Sequence, residues 1–346
     1  MTMILSRKLF VFTILFAISC CLWSLTEDKR NLAEKTANTG TNKRNATQIE
    51  APNITTEIFI QLSGQFGNHI SKIAAGVAVA IELESRGRHT SLTLLRPRRG
   101  HSAEQTTALL QQCFPSLRNV SFDNNHPDLV PKPLSWNQDS PSDFDKAIDL
   151  IFKSKTTSVL IDHLSGLDLI VDRHYKALRR FFTIDCCSSK IQPYHTVFHY
   201  RNFEREMPRR GKQKGYEELS AQFVNELFHD NNHSTPILIV TPYAPDVKNY
   251  VDVLQNQGRV VHTLAKSTPL LDFCMLISAT ETIIGLARST FFLWAGFLGN
   301  APHIRAYSID SEWKRQSNSP VWDHYNWTDP ELNERFHFEL YHLSSR

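Results

Sequence analysis

Hydrophobic positions along this chain fall into two alternating patterns. Short solid runs such as Ile58-Phe59-Ile60, Val197-Phe198 and Ile237-Leu238-Ile239-Val240 read as buried strands. Between them lie longer stretches in which apolar residues recur every three or four positions, as Ile73, Val77 and Ile81 do, and these read as helices. Strands are expected over 57–62, 91–95, 119–122, 158–162, 196–200, 236–241, 259–261, 282–285 and 304–307. Helices are expected over 70–85, 104–113, 142–153, 172–182, 215–230, 246–255, 270–279 and 289–297, with Gly258 ending the sixth of these. Strand and helix alternate twice over, which predicts an α/β protein with parallel sheets in two domains, 57–190 and 191–310. From Ser308 onward the periodicity is lost, and 311–346 is left as a C-terminal segment.

The first 56 residues do not fit this alternation. Leu9–Leu25 is apolar or small throughout and uncharged, with Arg7 and Lys8 before it. It reads as a short signal anchor following a cytoplasmic tail of residues 1–8, with Ala17-Ile18-Ser19 as a loose cleavage-site alternative. Its shortness suits a thin bilayer of the early secretory pathway. Residues 26–56 are rich in Asn, Thr, Lys and Glu and read as a flexible stem. The expectation is a single-pass type II protein of the Golgi or ER membrane with the rest of the chain lumenal.

Composition changes this picture little. The charged fraction is 21%, the hydrophobic fraction 41% and the net charge +3, which argues for a globular chain and against bulk nucleic-acid binding. Of six cysteines, Cys20 and Cys21 lie in the apolar run. Cys113, Cys186, Cys187 and Cys274 allow up to two disulfides by three pairings. No Cys-x-x-Cys pair occurs, so no structural metal site is expected. Glycosylation acceptors stand at Asn45, Asn53, Asn119, Asn232 and Asn326.

Three stretches carry candidate chemistry. Gly64-Gln65-Phe66-Gly67-Asn68-His69 joins the first strand to the first helix, where glycines permit tight turning and close approach of a ligand. His199-Tyr200-Arg201 ends a strand and leads into a basic loop, the place where an open α/β sheet grips an anion. Gly285-Leu286-Ala287-Arg288-Ser289-Thr290-Phe291 runs from a strand through a hydroxyl-rich turn into a helix bearing Phe292 and Trp294. Each also has a plain structural account: a turn, a solvated strand end, and an N-cap before a core helix.

In this order and spacing, with Asp272-Phe273-Cys274 between the last two, the stretches resemble the fucosyltransferase superfamily, most closely its α1,2 branch. The resemblance spans roughly 57–306 and rests on about 30 residues. It implies a GT-B-like fold of two Rossmann-like domains with a cleft between them. It also implies an inverting transfer of fucose from GDP-fucose to a glycan or glycoprotein acceptor, with no cofactor and no metal. By that resemblance His199 and Arg201 contact the GDP-sugar and Arg201 grips the pyrophosphate. Asp272 lies near the nucleoside. Arg288, Ser289, Thr290 and Phe291 line the phosphate and fucose pocket, and Gly64, Gly67, Asn68 and His69 face it from the first domain.

The sequence departs from the family after Arg201, where His-x-Arg-Arg-Gly-Asp is replaced by His199-Tyr200-Arg201-Asn202-Phe203-Glu204. Two outcomes are open there: Glu204 replaces the acid, or the loop has changed function. Glu204, Glu206 and Asp162 are the candidate general bases. The competing readings are another GDP-sugar donor on the same fold, a non-catalytic lectin-like or scaffold relative, and a metal-dependent transferase using Asp143-Phe144-Asp145.

Overall fold

The computed structural model describes residues 55–95, 103–123, 141–162, 167–187, 191–202, 219–229, 235–309 and 327–341. The expected anchor, most of the stem, Glu204, Glu206 and four of the five glycosylation acceptors lie outside the described residues. The fifth, Asn119, is exposed at the end of a 3-10 turn, Pro115–Asn119. Among the described residues, no helix is long and apolar enough to cross a membrane.

Two parallel sheets form the framework. The first takes β1 (Thr55–Gln61), β2 (His89–Leu95), β3 (Ser121–Asp123) and β4 (Ser158–Ile161) in the order β3-β2-β1-β4. Its helices are α1 (Phe66–Ser85), α2 (Ala103–Cys113), α3 (Pro141–Lys153) and α4 (Leu167–Phe181). The second sheet takes β5 (Thr196–His199), β6 (Ile237–Val240), β7 (Val261–Leu264), β8 (Thr282–Leu286), β9 (His303–Ile309) and β10 (Phe336–Tyr341). Around it lie α5 (Ala221–Leu227), α6 (Lys248–Asn256), α7 (Pro269–Ile277), α8 (Thr290–Leu298) and α9 (Pro330–Arg335). Its order is β7-β6-β5-β8-β9-β10. Counted from each sheet's first strand these orders are 3-2-1-4 and 3-2-1-4-5-6, the doubly wound arrangement of nucleotide-binding α/β folds.

The second sheet is covered on both faces, and its sequence shows why. Successive side chains of a strand point to opposite faces. Val197, Leu238, Val240 and Ile283 enter one hydrophobic cluster, which also holds Ile58, Ile60 and Leu94 of the first sheet. Their neighbours Phe198, Ile237, Ile239 and Ile284 enter a second cluster, with Phe223 and Val224 of α5 and Tyr250 and Leu254 of α6. A strand apolar at every position is the mark of a sheet buried on both sides.

Several boundaries differ from the sequence expectation. The first helix begins at Phe66, so Gly67, Asn68 and His69 form its first turn instead of a loop. The helix expected from 215 begins at Ala221, where Ser220 caps it by accepting from the Phe223 amide. Residues 119–122 divide between the 3-10 turn and β3. The strand expected at 259–261 runs instead over Val261–Leu264. The C-terminal segment supplies α9 and β10, the latter pairing with β9 in parallel register. This last part is held by the buried Trp327, Leu332 and Phe336 and by polar anchors. Arg335 is buried and donates to the carbonyls of Gly296, Ala301 and Gly299 at 3.0, 3.0 and 2.8 Å and to the Tyr175 hydroxyl at 2.6 Å. Asp172 of α4 accepts from the Thr328 and Asp329 amides, both at 2.9 Å.

Two disulfides resolve the pairing that the sequence left open. Cys113 joins Cys186, and Cys187 joins Cys274. The adjacent pair Cys186-Cys187 lies on the connection from α4 to β5, so this crossing between the sheets is tied both to α2 and to α7.

Candidate functional site

In an open α/β sheet, ligands bind outside the carboxyl ends of the strands where the strand order reverses. The second sheet reverses between β5 and β8, which pair directly, His199 opposite Gly285. The residues after these strands are Tyr200-Arg201 and Ala287-Arg288-Ser289-Thr290. The first sheet reverses between β1 and β4, with Ser63-Gly64-Gln65 and Asp162 just beyond them. The two reversal points face each other.

Three contacts establish this. Arg201 Nη1 donates to Gln65 Oε1 at 2.6 Å. Thr290 Oγ1 donates to Asn68 Oδ1 at 2.8 Å. Deeper in, Trp294 Nε1 donates to Ser71 Oγ at 2.7 Å, and Ser71 Oγ donates to the Gly67 carbonyl at 2.9 Å. The first turns of α1 and α8 therefore abut. Gly67 makes the approach possible: a Cβ there would lie 2.5 Å from the Phe291 nitrogen and 2.7 Å from the Thr290 carbonyl carbon. Gly64 has φ +83°, a left-handed conformation that glycine adopts without strain, and it turns the chain from β1 into α1.

Helix N-termini carry free N–H groups and partial positive charge. Here two of them, each after a strand at a reversal point, meet beside Arg201. Ser289 caps α8 by accepting from the Phe292 amide at 3.3 Å. Such an arrangement is suited to an anion, and a diphosphate in particular would find a guanidinium, a hydroxyl and helix-terminal amides together.

His199 lies beneath this surface, 6% exposed. Burial first, and then the Arg201 guanidinium, lower its pKa to about 3, so the ring is neutral at physiological pH. Its ring lies 5.4 Å from that of Phe291. Phe291 in turn contacts Phe66 and Phe273, with ring centroids 6.2 and 5.3 Å away, so one aromatic cluster supports both turns. Neutral His199 thus offers a hydrogen-bonding edge and a flat face, while Arg201 supplies the cation.

The remaining expected residues divide. His69 is buried in the first turn of α1, its pKa lowered to about 4 by burial and by Lys72, with a backbone contact to Gly64 acting oppositely. Arg288 and Ser289 are buried in the turn after β8. Asp272 is on α7, where burial raises its pKa against a hydrogen bond from Ser267. Its helix neighbour Phe273 touches Phe291. Asp143 and Asp145 are paired with Lys146 and Arg173 on the outer surface of α3. Cys186, Cys187 and Cys274 bring three sulfur atoms together, but all three are disulfide-bonded.

Sequence reasoning missed Lys72 and Gln65. Lys72 is 3% exposed, and its Nζ donates to Ser63 Oγ at 2.7 Å and to the Asp162 carbonyl. Burial lowers its pKa to about 8, the Asp162 carboxylate acting oppositely. The available signal was one lysine inside the otherwise apolar or small stretch Ile70–Ala80.

No family model matches the chain, and no curated protein matches it. Among solved structures it is similar to POFUT1 in complex with GDP, with TM-score 0.41 and 10% identity over 74% of this chain and 98% of that one. It is also similar to POFUT1 in complex with GDP-fucose, with TM-score 0.40, 12% identity, and coverage of 74% and 98%. A histidinol dehydrogenase from Elizabethkingia anophelis gives TM-score 0.23 and 11% identity over 80% and 60%. Likenesses at these TM-scores carry no argument about what the chain does.

Proposed function

We propose that the chain is a glycosyltransferase taking a nucleotide-diphosphate sugar, with GDP-fucose the first donor to test and a glycan or glycoprotein hydroxyl as acceptor. The observation that carries this reading is the meeting of the two reversal points, joined by Arg201–Gln65 and Thr290–Asn68. The sequence motifs that resemble fucosyltransferases are the stretches that meet there, and both strand orders are of the nucleotide-binding kind.

In the proposed reaction an acceptor oxygen attacks the anomeric carbon from the side opposite the leaving group. The bond from that carbon to the phosphate oxygen breaks, and GDP leaves with the electron pair. Arg201 and the start of α8 stabilise the charge that develops on the diphosphate. Neutral His199 and Phe291 form the floor under the sugar. Inversion, metal independence and a GT-B-like arrangement belong to this proposal, as does a lumenal location behind an N-terminal anchor. The two disulfides support the location, since such bonds persist in oxidising compartments.

The test is a donor screen with GDP-sugars on the purified protein, with and without chelator. Transfer from GDP-fucose that survives chelation is expected. Saturable binding of no GDP-sugar would contradict the reading.

A further inference from the structure

The proposed transfer needs a group to take the acceptor's proton, and the first sheet's reversal point holds one that sequence reasoning did not identify. Ser63 is exposed at the carboxyl end of β1, two residues before the Gln65 that receives Arg201. Behind it, Lys72 on the second turn of α1 reaches Ser63 Oγ at 2.7 Å. A second hydrogen bond, to the Asp162 carbonyl at the end of β4, fixes the amine in place. Ser63 is exposed, and the amine that reaches its hydroxyl is buried.

We propose that Ser63 and Lys72 form the proton relay of the acceptor side, Ser63 touching the acceptor hydroxyl and Lys72 receiving the proton. This rests on the glycosyltransferase reading. The 2.7 Å contact runs from the amine to the serine oxygen. In the competent state of the proposed relay the amine is neutral and the direction reverses, the serine hydroxyl donating to the amine lone pair. As the acceptor oxygen bonds to the anomeric carbon, its proton passes to Ser63 Oγ. The proton that Ser63 held passes to Lys72 Nζ, which becomes ammonium. GDP departs with the electron pair of the broken bond, and the ammonium later loses its proton to water.

The surroundings fit a lysine that works as a base. Burial lowers its pKa to about 8, so a substantial neutral fraction exists near that pH. The charged and titratable groups that face it are the Asp162 carboxylate beyond β4, which holds the proton on, and His69 on α1. His69 is neutral above about pH 4 and contributes no charge in the working range. The Asp162 carbonyl accepts from the amine in both protonation states, so the geometry survives turnover.

The experiment compares the full-length wild type with Ser63→Ala and Lys72→Met, using GDP-fucose, an acceptor glycan found by screening, and GDP as the binding probe. In the wild type kcat should rise with pH through about 8. Lys72→Met should lower kcat roughly 100-fold and abolish that rise, with GDP affinity within about threefold of wild type. Ser63→Ala, at an exposed position, should lower kcat by about tenfold or more with donor KM unchanged. Lys72→Arg should not restore turnover, since the guanidinium stays charged, whereas a purely structural clamp would be restored by it. Variants that bind GDP and keep both wild-type kcat and the wild-type pH profile overturn the relay alone. A wild type that binds no GDP overturns the relay together with the reading beneath it.

Discussion

The two reversal points share one topology and differ in where they keep their cation. In the second sheet Arg201 stands half-buried at the mouth, over a neutral His199. In the first sheet Lys72 is buried, and a serine hydroxyl reaches the surface in its place. A guanidinium keeps its charge and can bind two phosphate oxygens, so it suits a group that holds an anion. A buried amine is pushed toward neutrality, so it suits a group that exchanges a proton. One architecture thus gives an anion grip on one side and proton handling on the other.

The largest effect is expected from removing the grip. Arg201→Ala should lower donor kcat/KM by about 1,000-fold or more, and Arg201→Lys should recover only part of that, because an ammonium cannot replace the planar fork. Steady-state kinetics on GDP-fucose would check this. Equal losses for the two variants would reduce Arg201 to its shape.

Next comes the close approach of the two turns. Gly67→Ala places a Cβ 2.5 Å from the Phe291 nitrogen, against backbone that has little room to give. It should cost about 1–3 kcal/mol in urea unfolding and weaken GDP binding as well. The same substitution at Gly87, where a Cβ meets nothing within 4 Å but φ is +81°, should cost stability without touching binding.

Acid pH should separate the sides more gently. The folded pKa values of His199 and His69, about 3 and about 4, lie below the unfolded value of 6.5. The unfolded chain therefore binds more protons between these limits. Stability from this source is full above pH 6.5 and falls as the pH drops toward 4 and then 3. Urea midpoints at about pH 7.5 and about pH 5 would show the loss, and His199→Phe should shrink it. The smallest effect is the coupling of Asn68→Ala to Thr290→Val, expected at about 0.5–1.5 kcal/mol in a double-mutant cycle.

Much of this arrangement was legible in the sequence. Solid apolar runs such as Ile237–Val240 announce a doubly covered strand, and the three motif stretches lie where the strand order reverses. The contacts between them were not legible. Thr290 and Asn68 are 222 positions apart, and nothing local in either stretch encodes their meeting. Lys72 lay hidden for the same reason, since its partner at Asp162 is 90 positions away. The start of α1 was misread because a Gly-Gln-Phe-Gly string looks like a turn. The Gly67 position is helical, and its missing side chain serves the contact with α8. α9 and β10 escaped although Phe336-His337-Phe338-Glu339-Leu340 alternates apolar and polar as a strand does. The Arg335 and Asp172 anchors that tie this part to the rest join distant positions that no local pattern encodes.

The most direct test of the central claim is a calorimetric titration of GDP into the full-length protein, wild type against Arg201→Ala, near neutral pH with chelator present. A diphosphate grip at the second reversal point predicts one saturable site in the wild type. It also predicts at least about a tenfold loss of affinity in the variant, the scale of a charge-assisted hydrogen bond. Equal affinity in the two proteins, or no saturable binding in the wild type, would contradict it.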